Sequence, residues 1–191
     1  IFPLPSTSWK WFEKFTIFEK SKFRTWIVSK VNNILEYQSI LTNKGIESEY
    51  HRLDEVLEDK DGVEPAALLI IRNGISQLIN IDPSYMFAEQ LGYEWDKKYW
   101  DTRRQRVLNK RARYNVCYGD IGQTPDYENK KGTIISYEFT PILNKWRNSL
   151  GIVFGHQAKN LESEGNYYYD PNKCGIGSHG DSERKKVIAC S

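Results

Sequence analysis

The chain has 191 residues, 39% hydrophobic and 27% charged, with 27 Lys and Arg against 25 Asp and Glu, for a net charge of +2. That length buries a real core without disulfide or metal staples, and the 6 Trp, 12 Tyr and 8 Phe exclude low-complexity disorder. The longest clean apolar run, Ala66 to Ile71, is far short of the roughly 20 residues of a membrane helix, and the balanced charge excludes a bulk polyelectrolyte, so any affinity for nucleic acid has to come from a local patch.

In chain order, residues 9–58 read as helical. Ser21 is an N-cap. Phe23, Trp26, Ile27, Val31, Ile34, Leu35 and Leu41 then recur at helical spacing, and Gly45 closes the segment. A shorter helix near Glu49–Leu57 follows, with His51 a structural residue in a charged stretch. Residues 59–64 are a polar loop, Ala66–Arg72 a buried strand and Asn73-Gly74 a turn. Asp82-Pro83 opens a short helix that Gly92 ends.

A basic run comes next, with six Lys and Arg in the eleven residues from Arg103 to Arg113. It reads first as a solvated helix face, with Trp100, Val107 and Leu108 on the buried side. The competing reading is phosphate contact with nucleic acid through Arg103, Arg104, Arg106, Lys110 and Arg111. Arg111–Tyr118 is a strand. Residues 119–131 form a polar loop carrying Asp120 and Tyr127. It reads either as a substrate lid, in which Tyr118 and Tyr127 stack on a flipped base, or as an ordinary long loop.

Gly132–Glu138 is a strand, and Thr140-Pro141 caps a helix that Gly151 stops. Then come strands at Tyr167–Tyr169, Cys174–His179 and Lys186–Cys190. Helices followed by short strands with one inserted helix make an α+β fold, with a helical region over residues 1–64 and a β core over residues 65–191, in a single structural unit.

Cys117, Cys174 and Cys190 are odd in number and contain no C-x-x-C pair, which points to a reduced intracellular compartment, cytoplasm or nucleus. The opening Ile1-Phe2-Pro3-Leu4-Pro5 has no signal-peptide pattern and no Met. The close at Ala189-Cys190-Ser191 falls inside a strand-like run, so both ends read as fragment ends.

Most of the chemistry sits between Asn166 and Arg184. Gly175-Ile-Gly177-Ser-His-Gly180 matches a dinucleotide-binding glycine pattern, but no helix and second strand follow it. Ser178 and His179 are adjacent, so on a strand they point to opposite faces and cannot pair as nucleophile and base. His179 and Asp181 share one face of an extended strand, so imidazole and carboxylate converge on one point. That is two-thirds of the 2-His-1-carboxylate triad that holds non-haem Fe(II).

The order of motifs around that pair resembles the AlkB-like branch of the Fe(II)/2-oxoglutarate dioxygenases. The matching residues are Asn166-Tyr-Tyr-Tyr169, a polar turn, Ile176-Gly-Ser-His179-Gly-Asp181, Glu183, and the strand Val187-Ile-Ala-Cys-Ser191. Upstream, Arg113 with Tyr118-Gly119-Asp120 is similar to the stretch before the family's substrate loop, and Pro141-Ile-Leu to its short helix. The resemblance covers residues 110–191.

It implies a double-stranded β-helix, a cupin-like jelly roll buttressed by the N-terminal helices and left incomplete here. His179 and Asp181 become iron ligands. Asn166, with Tyr168 or Tyr169, becomes the 2-oxoglutarate contact. Asn-x-Tyr spacing selects Tyr168, and counting back from His179 selects Tyr169. Arg113, Tyr118, Asp120 and Tyr127 become substrate contacts. The family's second His, and the 2-oxoglutarate-binding Arg that follows it, lie downstream of Asp181; no His follows Asp181 in this sequence, and Arg184 comes too early for that Arg. His156 lies upstream and reads as a solvated or core residue. The implied activity, with O2 as co-substrate, is hydroxylation or demethylation of a modified nucleobase. The alternative is a degenerate oxygenase fold serving as a non-enzymatic binding or structural module in a larger assembly.

Overall fold

The computed structural model describes residues 24–56, 62, 65–174 and 187–190. They fall into two compact units. The N-terminal unit takes residues 24–84, 146–159 and 187–190, and the central unit takes residues 85–145 and 160–174. The expected boundary near residue 64 lies inside the N-terminal unit.

The N-terminal unit is built on an antiparallel sheet. Its strands are β1 (Arg24–Lys30), β2 (Ser48–Arg52), β3 (Ala66–Arg72) and β9 (Val187–Cys190), in the order β2-β3-β1-β9. The strands at 66–72 and 187–190 stand where the sequence put them.

The helix expected from Ser21 onward instead starts at Val31, and Arg24–Lys30 is a strand hydrogen-bonded on both edges. Thr25, Trp26, Ile27 and Val28 are β-branched or aromatic, and that strand preference outweighs the helical spacing. Likewise β2 replaces the helix expected near Glu49, leaving one 3-10 turn at Asp54–Val56.

Helix α1 (Val31–Asn43) buries Ile34, Tyr37 and Leu41 at three- and four-residue steps. Ile34 and Leu41 are fully buried, each contributing about 1.5–3 kcal/mol by leaving water. The helix ends as its C-terminal glycine requires. Gly45 sits at φ 70°, and the Ile46 N–H donates to the Leu41 carbonyl at 2.9 Å. Asn73, expected in a turn, is left-handed and opens α2 (Gly74–Ile79). Helices α3 (Pro83–Leu91) and α4 (Pro141–Phe154) begin where expected, but α4 runs through Gly151, expected to stop it, to Phe154; each carries the chain from one unit into the other. The Phe154 ring meets Tyr37 edge-on at 5.1 Å.

In the central unit the basic run is not a helix. It forms a two-stranded antiparallel ribbon, β4 (Lys98–Asp101) and β5 (Arg106–Asn109), turning through Gln105 at φ 48°. Trp100 lies opposite Val107 and Tyr99 opposite Leu108, cross-strand pairs that a helix cannot make.

A second sheet has the order β7-β6-β8. Strand β6 (Arg113–Gly119) runs parallel to β7 (Ile134–Ser136) and antiparallel to β8 (Ser163–Tyr168). An isolated bridge between Asp96 and Asn115 joins the segment just before β4 to β6. The Glu89 carboxylate accepts the Ile142 and Leu143 N–H groups at 2.8 and 3.0 Å, satisfying two orphan donors at the start of α4. The fold is therefore mixed α+β, with several small sheets and no closed barrel among the described residues.

Candidate functional site

The register of β6 and β8 fixes which side chains share a face. Arg113 lies opposite Tyr168, Asn115 opposite Asn166 and Cys117 opposite Glu164. Directly opposed residues point the same way, so these six line one face, here the front. Tyr114 opposite Tyr167, Val116 opposite Gly165 and Tyr118 opposite Ser163 line the back. Through the Asp96–Asn115 bridge, Asp96 joins the front, and Trp95 and Lys97 join the back.

The front is polar and cross-linked. Lys110 Nζ donates to Asn115 Oδ1, and Asn115 Nδ2 donates to Glu164 Oε1 at 2.8 Å. Burial pushes the Lys110 ammonium below the usual lysine range, with Arg113 adding to the effect against the pull of Asp96 and Glu164. The Arg113 guanidinium lies over the Tyr168 ring, 5.8 Å from its centroid. Beside this network, Asn166 Oδ1 is buried with no hydrogen-bond partner. A buried carboxamide oxygen without a partner is costly in a finished structure, and its natural complement is a hydrogen-bond donor.

Asp96 anchors the loop that follows β6. It is 5% exposed and accepts from the Tyr127 hydroxyl at 2.7 Å, the Thr133 N–H at 2.8 Å and the Thr133 hydroxyl at 2.6 Å. Gly132 makes room for it, since a Cβ there would stand 2.8 Å from Asp96 Oδ2. The bond to Asp96 and partial burial push the Tyr127 phenol up to about 12, burial being the larger cause.

The sequence-predicted residues are placed as follows. Asn166 and Tyr168 share the front face, two residues apart on one strand. Tyr169 points to the back, where its hydroxyl accepts the Ala112 N–H at 2.7 Å. Tyr118 is 2% exposed on the back, and desolvation raises its phenol well above the ordinary range. Tyr127 is half-buried, and its hydroxyl donates to Asp96. Asp120 is exposed at the start of the loop. Arg103, Arg104 and Arg106 are exposed at the ribbon tip, where Arg104 pairs with Asp101 at 3.1 Å. Lys110 and Arg111 lie at the ribbon's base, Lys110 turned into the front network. His179 and Asp181 lie outside the described residues. Among those described, no group of three His, Cys, Asp or Glu is placed to hold a metal, and no helix is long and apolar enough to cross a membrane.

Sequence reasoning missed Asp96 and the Asn115–Glu164 link. Asp96 sits among charged neighbours with no motif around it. Only Gly132-Thr133, a small residue beside a donor, marks its partner.

No known protein family matches the chain, and no solved structure matches it. It is 38% identical over 161 residues to an uncharacterized protein of Acanthamoeba polyphaga mimivirus, a match covering 83% of this chain. The chain spans 61% of that protein's length.

Proposed function

We propose that the chain is the part of an AlkB-like Fe(II)/2-oxoglutarate oxygenase that carries the first iron ligands and the co-substrate contact, acting on a modified nucleobase. The observation that supports this most is the front face of β8. Asn166 and Tyr168 stand side by side in Asn-x-Tyr spacing, and the Asn166 carboxamide keeps an unused, buried oxygen. A carboxylate only accepts hydrogen bonds, so a dicarboxylate would be met by the Asn166 Nδ2 and the Tyr168 hydroxyl as donors, while the unused Asn166 Oδ1 calls for a donor beside it. Of the two tyrosines, this favours Tyr168, because the Tyr169 hydroxyl is already used on the other face.

In this reading His179 and Asp181 hold the metal and the small sheets belong to a jelly roll. Bound iron and 2-oxoglutarate supply oxidative C–H hydroxylation, with succinate and CO2 as co-products. The chain's own residues bind and orient. Asn166 and Tyr168 fix the co-substrate. Lys110, Asn115 and Glu164 hold the neighbouring surface rigid. Asp96 keeps the loop after β6 in place through Tyr127 and Thr133.

The test is 2-oxoglutarate-dependent succinate release with Fe(II) and ascorbate, wild type against His179→Ala. Turnover that disappears with His179 supports the reading. Turnover that survives the substitution refutes the iron site, and a silent wild type in the presence of methylated oligonucleotides favours a non-enzymatic binding module.

A further inference from the structure

We propose that the back of the same sheet carries an accessory track for single-stranded nucleic acid, separate from the front face. It rests on the nucleic-acid part of the reading above and needs neither iron nor 2-oxoglutarate.

The track follows from strand alternation. Lys97, Tyr99 and Asp101 fall on one side of the extended segment that leads into the ribbon, and Arg106 lies opposite Asp101 on that side. Lys97 Nζ stands over the Tyr114 ring, 5.8 Å from its centroid. Tyr114 in turn packs against Tyr169, with centroids 4.5 Å apart. Tyr169, Tyr114, Lys97, Tyr99 and Arg106 therefore fall on one side, a packed pair of rings followed by a cation, a ring and a cation. Tyr169 and Tyr99 are 41% and 40% exposed, and Lys97 and Arg106 are exposed as well. The one acid on this side, Asp101, is paired with Arg104.

Charge points the same way. Residues 97–111 carry seven Lys and Arg against one Asp, a net +6 within a chain of net +2. The rest of the chain is thus net negative, and the positive potential is concentrated on the ribbon and its base. Exposed rings beside exposed cations suit a strand whose bases are unstacked, because every base offers a π-face while phosphates meet the charges. A duplex keeps its bases stacked on each other and offers these rings nothing. An acidic peptide would use the cations and leave the rings idle.

The experiment is fluorescence anisotropy of a labelled single strand of about ten nucleotides in EDTA, titrated with salt, beside a duplex of the same sequence. The single strand should bind more tightly than the duplex. Lys97→Glu with Arg106→Glu should weaken single-strand binding at least about tenfold and flatten the log–log salt slope by about 1.4, the value for two lost phosphate contacts. Tyr99→Ser should weaken it by about five- to tenfold with the slope unchanged, since stacking is not ionic. All three side chains are exposed, and melting curves confirm that the variants fold. Equal binding of single strand and duplex with a silent Tyr99→Ser overturns the track, as does a salt slope untouched by the double charge reversal. Because EDTA removes iron, neither result bears on whether succinate release depends on His179.

Discussion

The two faces of the β7-β6-β8 sheet are made from the same strands and solve different problems. The back is packed like a core along its middle. Trp95 lies across Gly165 and close to Tyr118, and tilts against Tyr167 with ring centroids 5.9 Å apart. Only at its rim do rings reach solvent. The front is a hydrogen-bonded surface of Lys, Asn, Glu and Asp, in which nearly every polar group is used and one carboxamide oxygen is not. Packing tolerates no added atom, whereas a polar network tolerates no missing partner. The two faces should therefore fail under opposite kinds of substitution.

The largest effect is expected at Asp96. Asp96→Ala leaves the Tyr127 hydroxyl, the Thr133 hydroxyl and the Thr133 N–H without their acceptor. Chemical denaturation should show a loss of about 3 kcal/mol, the scale of breaking a buried, charge-assisted network. A loss under about 1 kcal/mol would mean that water replaces the carboxylate and that the front is not a closed network.

The back should break by overfilling. Gly165→Val places new atoms where a Cβ alone would stand 3.0 Å from Trp95 Cη2 and 3.2 Å from Tyr118 Cε2. The expected cost is about 2 kcal/mol, with the proposed 2-oxoglutarate binding at the front unchanged. A variant of wild-type stability would show that Trp95 moves aside and that the back is loosely packed.

Much of the scaffold was legible in the sequence, and the reasons differ by element. Ala66–Arg72 is a short apolar run between turn residues, and α3 and α4 each begin with a proline in the first turn. Such local signals survive folding. Arg24–Lys30 misled because its apolar residues suit both periods, and only its pairing with β3 and β9 decides between them. The basic run misled for the same reason, since cross-strand partners of a ribbon are set by a turn at Gln105 that carries no glycine. That Asn166 and Tyr168 share a face could be read from their spacing. The Asp96 network could not, because its members are brought together from residues 96, 127 and 133, and nothing local joins them.

A smaller effect separates tether from scaffold. Tyr127→Phe removes one hydrogen bond to a carboxylate that keeps two others, for a cost of about 1–2 kcal/mol. The phenol's proton is held more tightly in the folded state, about 12 against the ordinary value of 10.0. Its contribution is therefore complete below pH 10 and is lost as the pH rises through about 12. Wild type should lose stability over that window faster than Tyr127→Phe, a difference visible in melts taken across it. Parallel curves would show that the hydrogen bond to Asp96 does not hold the loop.

The smallest effect on stability is expected at Asn166, and it says the most about the front. Its carboxamide oxygen has no partner, so Asn166→Ala gives up no bond there and should change stability by no more than about 0.5 kcal/mol. Asn115, directly across the ladder, is the contrast. Both ends of its amide are taken, by Lys110 and Glu164. Asn115→Ala leaves a partly buried ammonium without its acceptor and should cost about 2 kcal/mol. Ligand binding should reverse the order. Losing Asn166 should weaken 2-oxoglutarate binding, measured anaerobically with Fe(II), by about tenfold, the equivalent of one hydrogen bond. If Asn166→Ala instead destabilises as much as Asn115→Ala and leaves 2-oxoglutarate binding intact, then Asn166 belongs to the scaffold, and the front face loses the feature that distinguishes it from a well-packed sheet.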